Sequence, residues 1–162
     1  MPGLSYAGEA NASMAEAWSR TLLLVLTDNA KRRAQLQKEI DSFSQLTSLR
    51  LDAYKKAIFF REDQALFDKV LERRAEYLAI RDRATALMES IRRQEGIAMY
   101  EAELLPAYGR YKEAGDKLFD YNMREGEGRG QTIMTVCTVA EFVVAGIAIL
   151  LFILGFLFGL FK

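Results

Sequence analysis

The sequence predicts an all-α protein: an antiparallel four-helix bundle whose last helix continues into a C-terminal transmembrane helix. Residues 9–95 contain neither glycine nor proline, and they are rich in Ala, Leu, Glu, Arg, Lys and Gln, which lose least on entering a helix. Apolar residues recur there at steps of three and four, which places them on one helix face. Residues 142–161 form an uncharged, almost wholly apolar run.

The first helix is predicted over residues 9–27, after a disordered segment over residues 1–8. Its apolar stripe consists of Met14, Trp18, Leu22 and Val25. The side chains of Thr27, Asp28 and Asn29 then suit an N-cap, because their oxygen atoms can accept hydrogen bonds from the free N–H groups that begin the next helix.

A second helix is predicted over residues 29–60 and a third over residues 63–94. The second has a loose apolar stripe of Leu36, Ile40, Phe43, Leu51, Tyr54 and Ile58, and the third has a stripe of Leu66, Val70, Tyr77, Ile80, Ala84, Leu87 and Ile91. The charged run Arg61-Glu62-Asp63 separates them, with Asp63 as the predicted cap. The run Gln94-Glu95-Gly96 ends the third helix, since glycine suits the left-handed position that commonly follows a helix.

The fourth helix is predicted over residues 97–160. Its stripe consists of Ile97, Tyr100, Leu104, Ala107, Tyr111, Ala114, Leu118 and Tyr121. Pro106 predicts a kink or a local break, because proline lacks an N–H donor and its ring crowds the preceding turn. The glycine-rich neck at 125–130 is the weakest part of this helix, and its sequence is compatible with a hinge or with a break at the membrane interface.

The apolar run 142–161 predicts a membrane span. Twenty helical residues are about 30 Å long, which matches the hydrocarbon core of a bilayer. We therefore predict a sensor-like bundle over residues 9–130 and a transmembrane helix within residues 131–162. Only Glu141 and Lys162 are charged in the latter part, and Glu141 either marks the headgroup level or is a functional carboxylate.

The composition excludes several functional classes. The 22 basic and 22 acidic side chains give a net charge of zero, which argues against a nucleic-acid partner. No histidine is present, which removes imidazole-based catalysis and metal binding, and one cysteine permits no internal disulfide. Neither a phosphate-binding glycine loop nor a nucleophile elbow occurs. We expect no enzyme activity, no metal and no cofactor.

Two neighbouring arginines of the third helix are the candidate ligand-binding residues. Arg73 occupies a position of the apolar stripe, and Arg74 follows it. A guanidinium at a bundle interface can bind the carboxylate of a small anionic ligand through two parallel hydrogen bonds. The alternative is an interhelical salt bridge or an arginine that extends its charged end into water. For the tyrosines of the stripes we expect core packing rather than a ligand pocket.

Five segments occur in a characteristic order before the long final helix. They are Leu-Thr-Asp-Asn-Ala-Lys-Arg-Arg-Ala-Gln-Leu-Gln-Lys-Glu-Ile (26–40), Arg-Leu-Asp-Ala-Tyr (50–54), Phe-Arg-Glu-Asp-Gln-Ala-Leu-Phe (60–67), Arg-Ala-Glu-Tyr (74–77) and Tyr-Glu-Ala-Glu-Leu-Leu-Pro (100–106). This order resembles the four-helix-bundle ligand-binding domain of methyl-accepting chemotaxis proteins, over residues 9–161. No motif identifies the family's ligand-binding residues in this sequence.

The resemblance implies a membrane-anchored, non-catalytic sensory module in signal transduction. It implies a homodimer formed through bundle helices, displacement of helices on binding a small-molecule ligand or a partner, and pairing with full-length chemoreceptors. It also implies that the bundle lies in the periplasm, between two helices that cross the inner membrane. The one apolar run of this sequence predicts a single pass through that membrane.

The sequence departs from the family pattern at both ends. No membrane helix precedes the bundle and no cytoplasmic signalling region follows Lys162, so we expect a truncated form. Without the resemblance, a single C-terminal membrane helix predicts a tail-anchored cytoplasmic scaffold or interaction protein. A topology reporter at the N-terminus distinguishes the two alternatives.

Overall fold

The computed structural model of the protein describes residues 2–128 and 134, and no strand occurs among them. The chain divides into two compact units, Met1–Met123, which contains the bundle, and Arg124–Lys162. The helices are α1 (Pro2–Leu26), α2 (Ala30–Lys55), α3 (Arg61–Glu89), α4 (Arg93–Met99), a π-helical segment (Tyr100–Leu104) and α5 (105–128). The last three are continuous, and together they form the fourth rod of the bundle.

Side-chain contacts show that neighbouring helices of the first unit run antiparallel. The hydroxyls of Ser13 and Thr47 are 2.9 Å apart and Glu9 pairs with Arg50 at 2.7 Å, so α2 runs back along α1. The same reversal joins α2 to α3 (Tyr54–Asp63, Ser44–Arg81), α3 to the fourth rod (Glu76–Arg110, Arg83–Glu103) and the fourth rod to α1 (Phe119–Gly8, Gly115–Asn11). The predicted antiparallel four-helix bundle is confirmed.

The N-terminal segment is helical where the sequence predicted disorder over residues 1–8. Helix α1 begins at Pro2, and Ala7 and Ala10 are buried. A Cβ atom on Gly8 would lie 3.2 Å from the ring of Phe119, so α1 and α5 approach closely here. The side chains that pack here are small and form no clear apolar stripe, so the sequence did not predict a helix at the start of the chain.

One of the three predicted breaks lies where expected. Helix α1 ends at Leu26, and Asn29 is the N-cap of α2, with its side-chain oxygen accepting a hydrogen bond from the backbone N–H of Arg32 at 3.0 Å. The second break precedes its predicted position, because α3 already begins at Arg61. Asp63 is therefore not a cap. It is buried in the first turn of α3, where it accepts a hydrogen bond from the hydroxyl of Tyr54.

The third break also precedes its predicted position. Helix α3 ends at Glu89, and Gly96 lies inside α4, with no described glycine at a positive φ. Gly96 serves close packing instead. A Cβ atom there would lie 2.6 Å from Cγ of Met88 and 2.9 Å from the carbonyl oxygen of Ala84.

The kink or break predicted at Pro106 takes the form of a π-helical turn. Just ahead of the proline, the N–H of Leu105 donates to the carbonyl of Tyr100, five residues earlier. A π turn accommodates one extra residue within a helix. The fourth rod therefore remains continuous past a residue that cannot donate a backbone hydrogen bond.

The buried face of α3 agrees only in part with its predicted apolar stripe. Ile91 lies beyond the helix and is fully exposed, and Arg73 is only partly buried. The buried residues of α3 are Asp63, Phe67, Val70, Tyr77, Arg81, Ala84, Thr85 and Met88. Val70, Tyr77 and Ala84 of the predicted stripe are among them, so the stripe identified part of the inner face. It missed the polar part, because a search for apolar spacing passes over buried Asp63, Arg81 and Thr85.

An aromatic layer fills the middle of the bundle. The indole of Trp18 stacks on Tyr108, with ring centroids 4.0 Å apart, and on Tyr100 at 5.6 Å, while Tyr77 meets it edge-on at 6.4 Å. This layer joins α1 and α3 to the fourth rod. All five tyrosines on the predicted stripes, Tyr54, Tyr77, Tyr100, Tyr111 and Tyr121, are buried.

The two ends of the bundle carry different connections. At one end Arg93 donates to the backbone carbonyls of Val25 at 2.9 Å and Thr27 at 3.0 Å, which ties the α3–α4 connection to the α1–α2 connection. At the other end, the hydroxyl of Tyr54 before the α2–α3 connection accepts a hydrogen bond from the side-chain amide of Asn122. The first end is called the 27/91 end, and the second the 58/122 end.

Among the described residues, no helix combines the length and apolar character needed to cross a membrane. The predicted membrane span 142–161, Glu141 and most of the predicted C-terminal domain 131–162 lie outside the described residues. The membrane span therefore stays a prediction from the sequence.

The aromatic layer predicts the effect of removing its central ring. Trp18→Ala should lower the free energy of unfolding by about 3–5 kcal/mol, because the cavity cannot close against three rigid rings. Denaturant unfolding followed by circular dichroism measures the loss. Leu49→Ala, at an exposed site on α2, is the control and should change stability by less than about 0.5 kcal/mol. Equal losses in the two variants would contradict the packing described.

Replacement of two helical glycines by alanine should have opposite effects on stability. Gly96→Ala should destabilise the protein by about 1–3 kcal/mol, because the added methyl group meets the backbone of Ala84 and Met88. Gly109→Ala should stabilise it by about 0.5–1 kcal/mol, because nothing lies within 4 Å of the added Cβ and alanine favours a helix interior. Denaturant unfolding compares the two, and a gain at Gly96 would be inconsistent with the contact.

Two core tyrosines predict a loss of stability in alkali. Burial raises the pKa of both Tyr77 and Tyr111 from 10.0 to about 12, so folding favours their neutral form. Their contribution is fully present below pH 10 and is lost as the pH rises through about 12. The free energy of unfolding should fall across this interval, each tyrosine adding at most about 1.4 kcal/mol per pH unit. Tyr77→Phe should make the fall shallower, as measured by denaturant unfolding against pH; an unchanged slope would show that burial of Tyr77 is not responsible.

Candidate functional site

A cationic cleft lies on the surface between α3 and α5. It encloses about 220 Å³, and its lining residues are Lys69, Arg73, Arg110, Glu113, Ala114 and Lys117. Lys69 and Arg73 are one helical turn apart on α3, and Arg110, Glu113 and Lys117 follow one face of α5. Antiparallel packing of the two helices brings these two rows of side chains together.

Glu76 links the two walls of the cleft. Its carboxylate accepts a hydrogen bond from Arg110 on α5 at 2.5 Å and another from Arg73 on its own helix at 2.9 Å. The hydrogen bond from Arg110, followed by that from Arg73, lowers the pKa of Glu76. Glu76 is thus ionised at neutral pH, and its single negative charge bridges two guanidinium groups.

The remaining cleft cations also have carboxylate partners. Lys69 pairs with Glu72 at 2.7 Å and Lys117 pairs with Glu113 at 2.6 Å. These hydrogen bonds lower the pKa of both glutamates. Four cations therefore meet three carboxylates, counting Glu76, so the cleft keeps an excess of positive charge. Exposed pairs of this kind exchange readily with competing ions, because water screens their attraction.

The two arginines predicted from the sequence belong to different environments. Arg73 lines the cationic cleft, whereas Arg74 reaches across to α2, where it donates to the carbonyl of Ser44 at 3.0 Å and to the hydroxyl of Ser48 at 2.7 Å. Successive residues of an α-helix point about 100° apart, so neighbours face different helices. The structure therefore separates Arg73 from Arg74.

Arg74 borders a small pocket inside the bundle. The pocket encloses about 10 Å³ and is lined in part by Ser44, Thr47, Tyr77 and Tyr111. This volume accommodates about one water molecule. An organic ligand has no room there, so of the two predicted arginines Arg73 is the one that lines a space large enough for a ligand.

Sequence reasoning missed three of the four cations in the cleft. Lys69, Arg110 and Lys117 lie at helical spacings that are common on any solvated helix face. The spacing was visible, but nothing in it showed that these two faces adjoin. It also missed Arg81, which is buried and donates to the hydroxyl of Ser44 at 2.6 Å.

No group of three or more acidic or cysteine side chains within the described ranges could hold a metal ion. Cys137 lies outside those ranges. The side chains that line the cleft offer charge recognition by guanidinium and ammonium groups.

Comparison with known families adds to this geometry. The family described as a four helix bundle sensory module for signal transduction matches residues 1–133, which is most of the chain. No curated protein matches the sequence at a significant level. The chain therefore belongs to the family of four-helix-bundle sensory modules of chemotaxis signal transduction.

Proposed function

We propose that this protein is a membrane-anchored, non-catalytic sensor that binds a small anion in the cationic cleft and responds by moving α5 relative to α3. The main support for this proposal is the pair of hydrogen bonds that Glu76 accepts from Arg73 and Arg110. In this proposal the module is a homodimer with its bundle on the outer side of the inner membrane, and it pairs with full-length chemoreceptors. Membership of the sensory-module family supports the general role.

In the proposed mechanism, the ligand competes with Glu76 for the two arginines of the cleft. A ligand carboxylate that binds Arg73 and Arg110 bidentately replaces the carboxylate of Glu76. The link between α3 and α5 then runs through the ligand, with a different length and direction. Because a ligand shifts an equilibrium only through a difference in affinity between two states, the arrangement of α5 that best fits the anion becomes populated.

The cleft volume restricts the ligand. A space of about 220 Å³ is smaller than the 300–1,000 Å³ typical of drug-sized ligands. The four cations require an acceptor with negative charge. We therefore propose a compact ligand of a few heavy atoms with one or two carboxylate or phosphate groups.

A set of small anions tests the proposal on the full-length chain in detergent micelles. A dicarboxylate or inorganic phosphate should raise the melting temperature, whereas the uncharged diamide of the dicarboxylate should not. At one hundred times the dissociation constant the expected stabilisation is about 2.7 kcal/mol. Arg110→Gln should weaken binding at least about tenfold, the cost of roughly one charge-assisted hydrogen bond.

Arg83→Gln is the matched control. Arg83 also crosses from α3 to the fourth rod, where it pairs with Glu103 of the π-helical segment at 2.9 Å, but it does not line the cleft. Binding should survive this change. If no anion shifts the melting temperature, or if Arg83→Gln weakens binding as much as Arg110→Gln, the cleft is not a specific anion site.

A further inference from the structure

The α2–α3 connection presents two adjacent phenyl rings to solvent. Phe59 is 82% exposed and Phe60 is 47% exposed. The neighbouring Ile58 packs against the hydrophobic core, so the connection is anchored to the bundle while Phe59 projects from it. Single exposed apolar side chains are common on protein surfaces, but a contiguous apolar patch indicates a site of contact.

Cations flank the two rings. Lys55, Lys56 and Arg61 are all exposed. Of the nearby acids, Asp63 is buried and bound to the hydroxyl of Tyr54, and exposed Asp52 lies one turn before Lys56 on α2. Within residues 55–62 the exposed carboxylate is that of Glu62. This segment, called the 55–62 loop, therefore combines exposed aromatic rings with an excess of two positive charges. That combination suits a surface with an apolar interior and anionic headgroups.

The position of the 55–62 loop in the bundle agrees with such a surface. The loop lies at the 58/122 end, where Asn122 donates to the hydroxyl of Tyr54. The first compact unit ends there at Met123. An uncharged stretch, 130–140, begins seven residues later and precedes the apolar run 142–161. Seven residues span at most about 25 Å even when fully extended, so the chain itself keeps the loop near any bilayer entered at that stretch.

We propose that the 55–62 loop docks on an anionic lipid bilayer, with Phe59 inserted at the boundary between headgroups and acyl chains and the three cations among the headgroups. This inference rests on the membrane anchoring in the proposed function. Docking gives the bundle a second attachment to the membrane besides the chain beyond Met123. That attachment restrains α2 and α3, against which α5 would move.

Tryptophan scanning of the full-length chain in lipid vesicles tests the docking. Phe59→Trp and Ile91→Trp each add one indole to Trp18, the single tryptophan of the sequence. Ile91 is the matched site, because it is also an exposed apolar residue of a connection but lies at the 27/91 end. In vesicles of phosphatidylglycerol and brominated phosphatidylcholine, the added fluorescence of Phe59→Trp should be quenched and shifted to the blue. The added fluorescence of Ile91→Trp should be neither quenched nor shifted to the blue, as expected for an indole that stays in water.

Removal of the three positive charges tests the role of the cations. Replacing Lys55, Lys56 and Arg61 together by glutamine in the Phe59→Trp background should reduce the quenching, as should vesicles without phosphatidylglycerol. Replacing Lys31, Arg32 and Arg33, a run of three cations at the 27/91 end, should leave the quenching unchanged.

The outcomes separate the inference from the function it rests on. If the chain does not co-float with vesicles, the membrane anchoring itself fails. If it co-floats but Phe59→Trp is no more quenched than Ile91→Trp, the docking is wrong and the anchored sensor stands. A blue shift of Phe59→Trp without bromine quenching would show that a protein surface, such as a second copy of the chain, covers the loop, and would also overturn the docking.

Discussion

The rotation of α3 about its own axis is fixed by two buried polar side chains, and the rest of the bundle depends on it. Asp63 accepts a hydrogen bond from the hydroxyl of Tyr54, and Arg81, which also pairs with Asp82 of its own helix, donates one to the hydroxyl of Ser44. Buried polar and charged groups favour such contacts, because they are costly without partners. Tyr54 and Ser44 both lie on α2. This constraint turns Phe67, Tyr77 and Met88 inward, and it leaves Arg73 on the surface facing α5.

The fourth rod is held by a different kind of contact. Trp18 lies between Tyr100 and Tyr108, so the π-helical segment and α5 both depend on one indole ring of α1. The π turn sets the phase between these two tyrosines, because an extra residue in the turn rotates everything that follows it. Pro106 is thereby accommodated without a break, and the face of α5 that carries Arg110 and Lys117 is directed to α3.

Helix α3 contacts the fourth rod in two ways, through buried aromatic rings and through exposed ion pairs. Tyr77 packs on Tyr108 and Tyr111 in the interior, with ring centroids 6.0 and 5.7 Å apart. At the surface the exposed ion pair of Glu76 with Arg110 joins α3 to α5, and that of Arg83 with Glu103 joins α3 to the π-helical segment before α5. Water-exposed pairs can change partners at little cost, whereas the aromatic contacts keep the helices together. A bundle of this kind suits a sensory module, since a surface event can bias one helix pair without unfolding the core.

Local chemistry was enough for the sequence to determine the helical class, the number of rods and the break at Thr27 to Asn29, where an asparagine caps α2. It also identified the tyrosines of the core and the position at Pro106 where the helix departs from α geometry, although not the π turn itself. Only the tertiary structure decided the inner face of α3, the helical start at Pro2 and the division of roles between Arg73 and Arg74. Each of these depends on which residues of other helices lie opposite. A buried aspartate or arginine is indistinguishable from a solvated one until its partner, here on α2, is known.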